Sequence, residues 1–166
     1  NTIFGDVYSL PARPPFMNVL AAYFLALTQD RFEFFQIVFT FLNLLMFLPC
    51  CLLLRAVTGV RRPRIFALVV LFALNPVVME SATYSWTKAL TAFFVVLGIW
   101  LYLSAWRKND GLRMVAAFVS LAAGILVHYS AGPFVLFLTL HYLLWVFWKR
   151  PRRWREASRR PSLSRP

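Results

Sequence analysis

The sequence predicts an all-α fold, a polytopic helical membrane protein with five transmembrane helices preceded by one interfacial helix. Three observations carry that expectation. Of 166 residues, 60% are hydrophobic and only 14% charged, where soluble domains carry about 25% charged residues. The apolar residues are gathered into runs long enough to cross a bilayer. The basic residues fall in alternate loops between those runs.

Residues 1–33 read as a periplasmic loop, more polar than the apolar runs after it, with Asp6, Arg13, Asp30, Arg31 and Glu33. Its apolar stretch, 14–27, is short and contains Asn18, so it is expected to lie along the outer membrane surface. Pro14 and Pro15 suit the first turn of that helix, where no N–H partner is required. A sixth crossing helix is the alternative, and it would carry Asp6 and Arg13 to the cytoplasmic side.

Five crossing segments are expected within 34–148. Residues 34–54 hold no charge. Residues 65–79 continue through 81–87 with only Glu80 interrupting. Residues 89–106 and 114–127 are charge-free, the latter extending to Tyr129, and 133–148 holds only His141. A crossing helix needs roughly 17–25 residues. A run of that length in lipid must be helical, because each backbone N–H and C=O there needs an internal partner.

Orientation comes from the loops. Arg55, Arg61, Arg62 and Arg64 share one loop, Arg107, Lys108 and Arg113 another, and 149–166 carries eight further basic residues against Glu156. Under strict alternation these are fifteen of the 18 Lys and Arg residues, all on one side. That side is expected to be the cytoplasm of a bacterial inner membrane. The tail is expected to meet anionic headgroups, and the net charge of +12 does not imply nucleic acid, since it is spread over short loops. The chain opens at Asn1 without a basic and apolar leader, so it reads as an internal fragment. Cys50 and Cys51 are neighbours on a helix and point about 100° apart; they read as two buried thiols rather than a bridge or a metal site.

Polar groups near the outer helix ends are where chemistry is expected. Three clusters gather there: Asp6 with Arg13-Pro14-Pro15; Glu80 through Lys88, including Tyr84 and Trp86; and His128-Tyr129-Ser130-Ala131-Gly132-Pro133. Arg13, Lys88 and His128 have the charge and donors to hold a phosphate. Asp6 and Glu80 have the oxygens for a sugar hydroxyl or a divalent metal. Each has a plainer reading beside it. Arg13 serves equally as a surface anchor, Lys88 as a snorkelling side chain, His128 as a satisfied loop histidine, Glu80 as a solvated acid, and Tyr84 and Trp86 as aromatic-belt residues. His141 reads as a helix-packing group. No P-loop, dinucleotide-binding glycine pattern, zinc-protease motif or serine elbow is present.

The segment Gly5-Asp6 followed by Arg13-Pro14-Pro15-Phe16-Met17-Asn18 resembles part of the first outer loop of GT-C-type glycosyltransferases. These are the polyprenyl-phosphate-sugar-dependent enzymes that include the protein O-mannosyltransferases and the bacterial aminoarabinose transferase of lipid A. Asn75-Pro76 and Ala82-Thr83-Tyr84-Ser85 resemble that family's Asn-Pro and Thr-Tyr segment, and the turn 128–133 matches in position. The resemblance implies that Arg13 contacts the lipid phosphate and that Asp6 occupies an acidic position other than the catalytic base. It also implies that the base lies upstream of this chain. Two departures are plain. Lys88 stands where many members have an acid followed by proline, and His128-Tyr129-Ser130 replaces a Thr-Lys pattern, so that Lys88 is expected to neutralise the phosphate instead.

The implied reaction is transfer of a sugar from a polyprenyl-phosphate donor to an acceptor at the outer face. Arg13, Lys88, His128, Tyr84 and Tyr129 are the expected donor contacts, no metal ligand is assigned, and a divalent ion is left open. The alternative is a non-enzymatic polytopic protein, a transporter or assembly subunit. A transporter is expected to show broken helices or charge at the bilayer midplane, and in the sequence the charges crowd the helix ends.

Overall fold

The computed structural model describes residues 15–29, 31–59, 65–83 and 87–157, with side chains described as far as Trp148 in the last helix. Among the described residues all regular structure is helical: α1 (Pro15–Leu27), α2 (Phe32–Leu44), α3 (Phe47–Thr58), α4 (Ile65–Leu74), α5 (Pro76–Thr83), α6 (Thr87–Lys108), α7 (Gly111–Val127), a 310 turn (Tyr129–Ala131) and α8 (Gly132–Ala157). Asp6, Arg13, Tyr84, Trp86, Arg61, Arg62 and Arg64 lie outside the described residues.

Helices α2 and α3 form one apolar stretch of 27 residues, Phe32–Thr58. The irregularity between them traces to Pro49, which lacks an N–H and crowds the carbonyl four residues back. The ladder tightens there: the Met46 N–H donates to the Asn43 carbonyl at 3.2 Å and the Leu48 N–H to the Leu45 carbonyl at 3.0 Å, both three-residue bonds. Leu45 and Met46 keep right-handed dihedrals, so the stretch is distorted and not ended. It ends at Gly59, whose φ of 67° is the left-handed cap glycine tolerates best. Cys50 and Cys51 are half-buried and in no disulfide, so the expected full burial is corrected to a position on the flank of the span.

The segment expected to cross once between 65 and 87 is broken. α4 and α5 meet at Asn75 with a 75° bend. Pro76 supplies no N–H and drives the preceding residue out of the helical region. The Asn75 side-chain oxygen then accepts from the Val77 and Val78 N–H groups at 3.0 and 3.3 Å, which starts a new helix with its own cap. Hydropathy is blind to this break, because the residues on both sides are apolar.

α6 and α7 form the tightest pair. Their turn uses Asn109 at φ 52° and Asp110, whose carboxylate accepts from the Arg113 N–H at 3.1 Å and pairs with the Arg113 guanidinium at 3.1 Å. Along the seam, Gly98 faces Leu121, and a Cβ at Gly98 would stand 2.7 Å from Leu121 Cγ. Near the other end Gly124 faces Phe94 and Val95. The Ser120 hydroxyl donates to the Phe94 carbonyl at 2.8 Å. Small residues and an interhelical hydroxyl bond are how helices associate where lipid removes the hydrophobic drive between them.

α1 docks onto this frame through one face. Met17 is buried with Phe39 of α2, Leu90 of α6 and Val127 of α7, and Phe16, Leu20, Ala21, Phe24, Phe35 and Phe94 pack around them. Phe16 meets Phe94 edge-on at 6.1 Å, and two turns further along α1 Phe24 meets Phe39 edge-on at 6.3 Å. The other face of α1 exposes Val19, Tyr23 and Leu27. α1 therefore reaches from α6 to α2 at the end of the bundle marked by Leu90 and Val127. The opposite end is marked by Arg107, which donates to the Ala56 carbonyl at 2.7 Å. That end gathers Arg55, Arg107, Lys108 and Arg113.

The described residues as far as Gly132 make one compact unit and those from Pro133 onward a second. Within the second, α8 begins next to Pro133 and is apolar as far as Trp148; His141 stacks on Phe137 one turn earlier at 6.5 Å. Among the described residues three stretches are long and apolar enough to cross a membrane: Phe32–Thr58, Thr87–Lys108 and Tyr129–Trp148. The bent α4–α5 pair makes a fourth if counted as one span, while α1 and α7 are shorter apolar helices of 13 and 17 residues.

Candidate functional site at the rim opposite the arginines

Four of the expected site residues lie among the described residues, and the fold brings them to one end of the first unit. Lys88 is exposed at the start of α6, two residues before buried Leu90. His128 and Tyr129 come directly after buried Val127 at the end of α7. Leu90 and Val127 belong to one cluster, so Lys88 and His128 flank the same patch of core on which α1 sits. Glu80 is exposed on α5, whose last carbonyl, that of Thr83, accepts from the Gln36 side chain at 3.4 Å. That contact brings the end of α5 toward the start of α2.

Local hydrogen bonds orient the His128 ring in this turn. It is extended, with φ −159° and ψ 137°, and its Nδ1 accepts from the Ser130 N–H at 3.1 Å and lies 2.9 Å from the Ser130 hydroxyl. An Nδ1 that accepts a backbone N–H carries no proton, so in the neutral ring the proton sits on Nε2. Tyr129 stacks on the imidazole at 4.2 Å and is otherwise exposed. The cap and the donor are separable. His128→Asn keeps an acceptor near the Nδ1 position, whereas His128→Ala removes it. We expect His128→Ala to lose about 1 kcal/mol, the usual worth of a side-chain cap, and His128→Asn to stay close to the parent in thermal unfolding. Equal melting of the two variants would show that the Ser130 bond does not hold the turn.

The charge at this rim is mixed: Lys88 and Arg31 are cationic, Glu33 and Glu80 anionic. Arg31 precedes α2 and lays its guanidinium 4.5 Å from the centre of the Phe34 ring, an arrangement that stabilises a cation at an apolar surface. Lys88 and the Nε2 proton of His128 are suited to anionic oxygens, and Glu80 to hydroxyl donors. Among the described residues no three His, Cys, Asp or Glu side chains stand close enough to share a metal ion. Asp6, Arg13 and Tyr84, the other expected contacts, fall outside the described residues.

Two polar residues with a structural role are not singled out by the sequence, Gln36 and Asn43. Asn43 is buried, and its side-chain amide donates to the Ser81 and Ala82 carbonyls at 3.2 and 3.3 Å. Gln36, seven residues earlier on the same face of α2, reaches the Thr83 carbonyl. A helix leaves its last four carbonyls without intrahelical partners, and in lipid each would be costly. The two amides of α2 therefore close the end of α5 from the side. The available signal was their seven-residue spacing in an otherwise apolar run.

Long apolar helices, a helix broken within its apolar length and interhelical bonds from amide and hydroxyl side chains define the class: an all-α protein with, among the described residues, three or four helices long and apolar enough to cross a membrane. The chain belongs to the family described as a domain of unknown function (DUF6311), whose model matches residues 13–163. No curated protein and no solved structure matches it.

Proposed function

We propose that this chain is the membrane region of a glycosyltransferase that takes a sugar from a polyprenyl-phosphate donor and transfers it at the outer face of a bacterial inner membrane. The observation that carries the reading is the convergence of Lys88 and His128 on one rim, across the bundle from the arginine-rich end. In this reading the five crossings are α2–α3, α4–α5, α6, α7 and α8, with α1 on the outer surface and the basic loops in the cytoplasm. Its docking across α2, α6 and α7 at the Lys88 end supports that role for α1.

The chemistry asked of the rim is modest. As the bond between the anomeric carbon and the phosphate oxygen breaks, negative charge grows on the phosphate, and fixed cations and donors beside it lower the barrier. Lys88 and Arg13 supply charge, and the Nε2 proton of His128 supplies a hydrogen bond. Tyr84 and Tyr129 wall the sugar, while Glu80 and Asp6 accept from its hydroxyls. The reading assigns the base that deprotonates the acceptor to no residue of this chain.

The test is transfer from a supplied polyprenyl-phosphate sugar by the full-length protein in lipid. Arg13→Ala and Lys88→Ala are each expected to cut turnover sharply at normal expression. Undiminished transfer by both would remove this rim from the reaction. One observation favours a second reading, a transporter: the 75° break at Asn75-Pro76, since broken helices are a recurring feature of transporter binding sites. Substrate movement across sealed vesicles without chemical change would select it.

A further inference from the structure

The end of the first unit marked by Arg107 carries positive charge that the fold leaves unbalanced. α3 and α6 meet there, where the Arg107 guanidinium donates to the Ala56 carbonyl at 2.7 Å. Arg55 is the residue before Ala56, and consecutive Cα atoms stand about 3.8 Å apart, less than the length of an arginine side chain. Arg55, Arg107 and Lys108 are all exposed. Asp110, the carboxylate at this end among the described residues, is committed to Arg113 at 3.1 Å. In the sequence, the stretch after Gly59 adds Arg61, Arg62 and Arg64 and no acid.

The bond to Ala56 anchors one of these cations. A guanidinium carries five N–H donors in a rigid plane, and Arg107 spends one of them on the carbonyl. The rest are held in place by that bond, so less side-chain freedom is lost when they meet a ligand. Depth narrows the choice of ligand. Phe32–Thr58 and Thr87–Lys108 are long and apolar enough to cross a membrane, and Arg55 and Arg107 lie in the last turn of each. Long basic side chains at such positions reach the level of the lipid phosphates. Trp106, beside Arg107, is a residue type that settles at the same level. Back along α3 from Arg55, Leu52 and Leu48 follow at steps of three and four residues on the same side of the helix, and both are exposed.

We infer that the corner between α3 and α6 binds an anionic phospholipid. Its phosphate is held by Arg107 and Arg55, Lys108 adds charge beside them, and an acyl chain lies along Leu52 and Leu48. Arginine suits this role because its planar donors engage two phosphate oxygens at once. Charge selects the occupant. A zwitterionic headgroup would bring its ammonium among cations with no carboxylate left to receive it, and a soluble anion has no apolar part for the leucines. The inference rests on reading both stretches as membrane crossings; it needs neither glycosyl transfer nor the basic residues of 149–166.

Lipid counting on the intact protein is the test. The protein is placed in nanodiscs of equal parts phosphatidylglycerol and phosphatidylcholine with identical acyl chains. The lipids that stay bound on gentle ejection are identified by native mass spectrometry. We expect phosphatidylglycerol to be retained about tenfold over phosphatidylcholine, somewhat less than two fully effective cations would give. Arg55→Gln should cut that ratio about fivefold, the usual effect of one basic side chain near an anionic lipid surface. Arg55→Lys, which keeps the charge, should preserve most of it. Arg31→Gln removes a cation from the opposite rim and should leave the ratio close to the parent's. Equal retention of the two lipids by the unaltered protein overturns the proposal. So does an equal drop from Arg55→Gln and Arg31→Gln, which would report net charge alone. Loss of phosphatidylglycerol on adding inorganic phosphate, but not sodium chloride of equal ionic strength, would assign the corner to a soluble anion and also overturn it. A protein that does not enter the discs would overturn the crossings and this proposal together.

Discussion

Replacing Gly98 by valine is expected to abolish the paired α6–α7 hairpin, with loss of folded protein from the membrane. Even the Cβ of alanine would stand 2.7 and 2.9 Å from Leu121 Cγ and Cδ2, and 3.2 Å from the Ala117 carbonyl oxygen. The first two clashes involve a side chain that can move, although Leu121 is fully buried and has little room. The third is a tight contact to backbone, which must give by a few tenths of an ångström whatever Leu121 does. Overpacking of this kind costs about 1–3 kcal/mol for a single added group, and valine adds two more. Gly98→Ala combined with Leu121→Ala should recover part of the loss, and thermal unfolding in detergent of the two single variants and the double variant gives the coupling directly. A Gly98→Ala protein that melts like the parent would mean that the helices are not this close.

The second large effect is expected at Asn43. Asn43→Leu keeps the branched four-atom skeleton and does not lower helix propensity, but it removes the donor that closes the Ser81 and Ala82 carbonyls. A buried acceptor left without its partner costs about 1–3 kcal/mol, and the end of α5 should fray. Gln36→Leu removes a longer, exposed bond to Thr83 and is expected to cost well under half as much. The diagnostic is therefore the ratio between two chemically similar changes on one face of one helix. Equal melting temperatures for the two variants, or protection of α5 amides from exchange that Asn43→Leu does not lower, would contradict the role given to Asn43.

These effects sit at positions that hydropathy passes over. The sequence reading recovered the helical class and most of the apolar segments, because long uninterrupted runs of apolar side chains have few other stable forms. It placed Lys88 and His128 near helix ends, and the structure sets both ends against one cluster of Met17, Phe39, Leu90 and Val127. It treated 65–87 as one crossing because valine, leucine and phenylalanine on either side of Asn75 look alike to a hydropathy window. The Asn-Pro pair is plain in the sequence, and its capping chemistry is what divides α4 from α5. Gln36 and Asn43 were overlooked because an uncharged amide scarcely lowers the apolar character of a run, and because their partners lie some forty residues away.

The sequence by itself determined that the chain is helical with several runs long and apolar enough to cross a bilayer, and that its positive charge gathers in the loops between them, because run length and loop charge are local properties. Only the tertiary structure decided where α1 docks, that α5 is closed by amides of α2, that Gly98 admits Leu121, and that Lys88 and His128 share a rim. Each of those depends on which surfaces meet, and short-range composition carries almost no information about contacts made between helices distant in the chain.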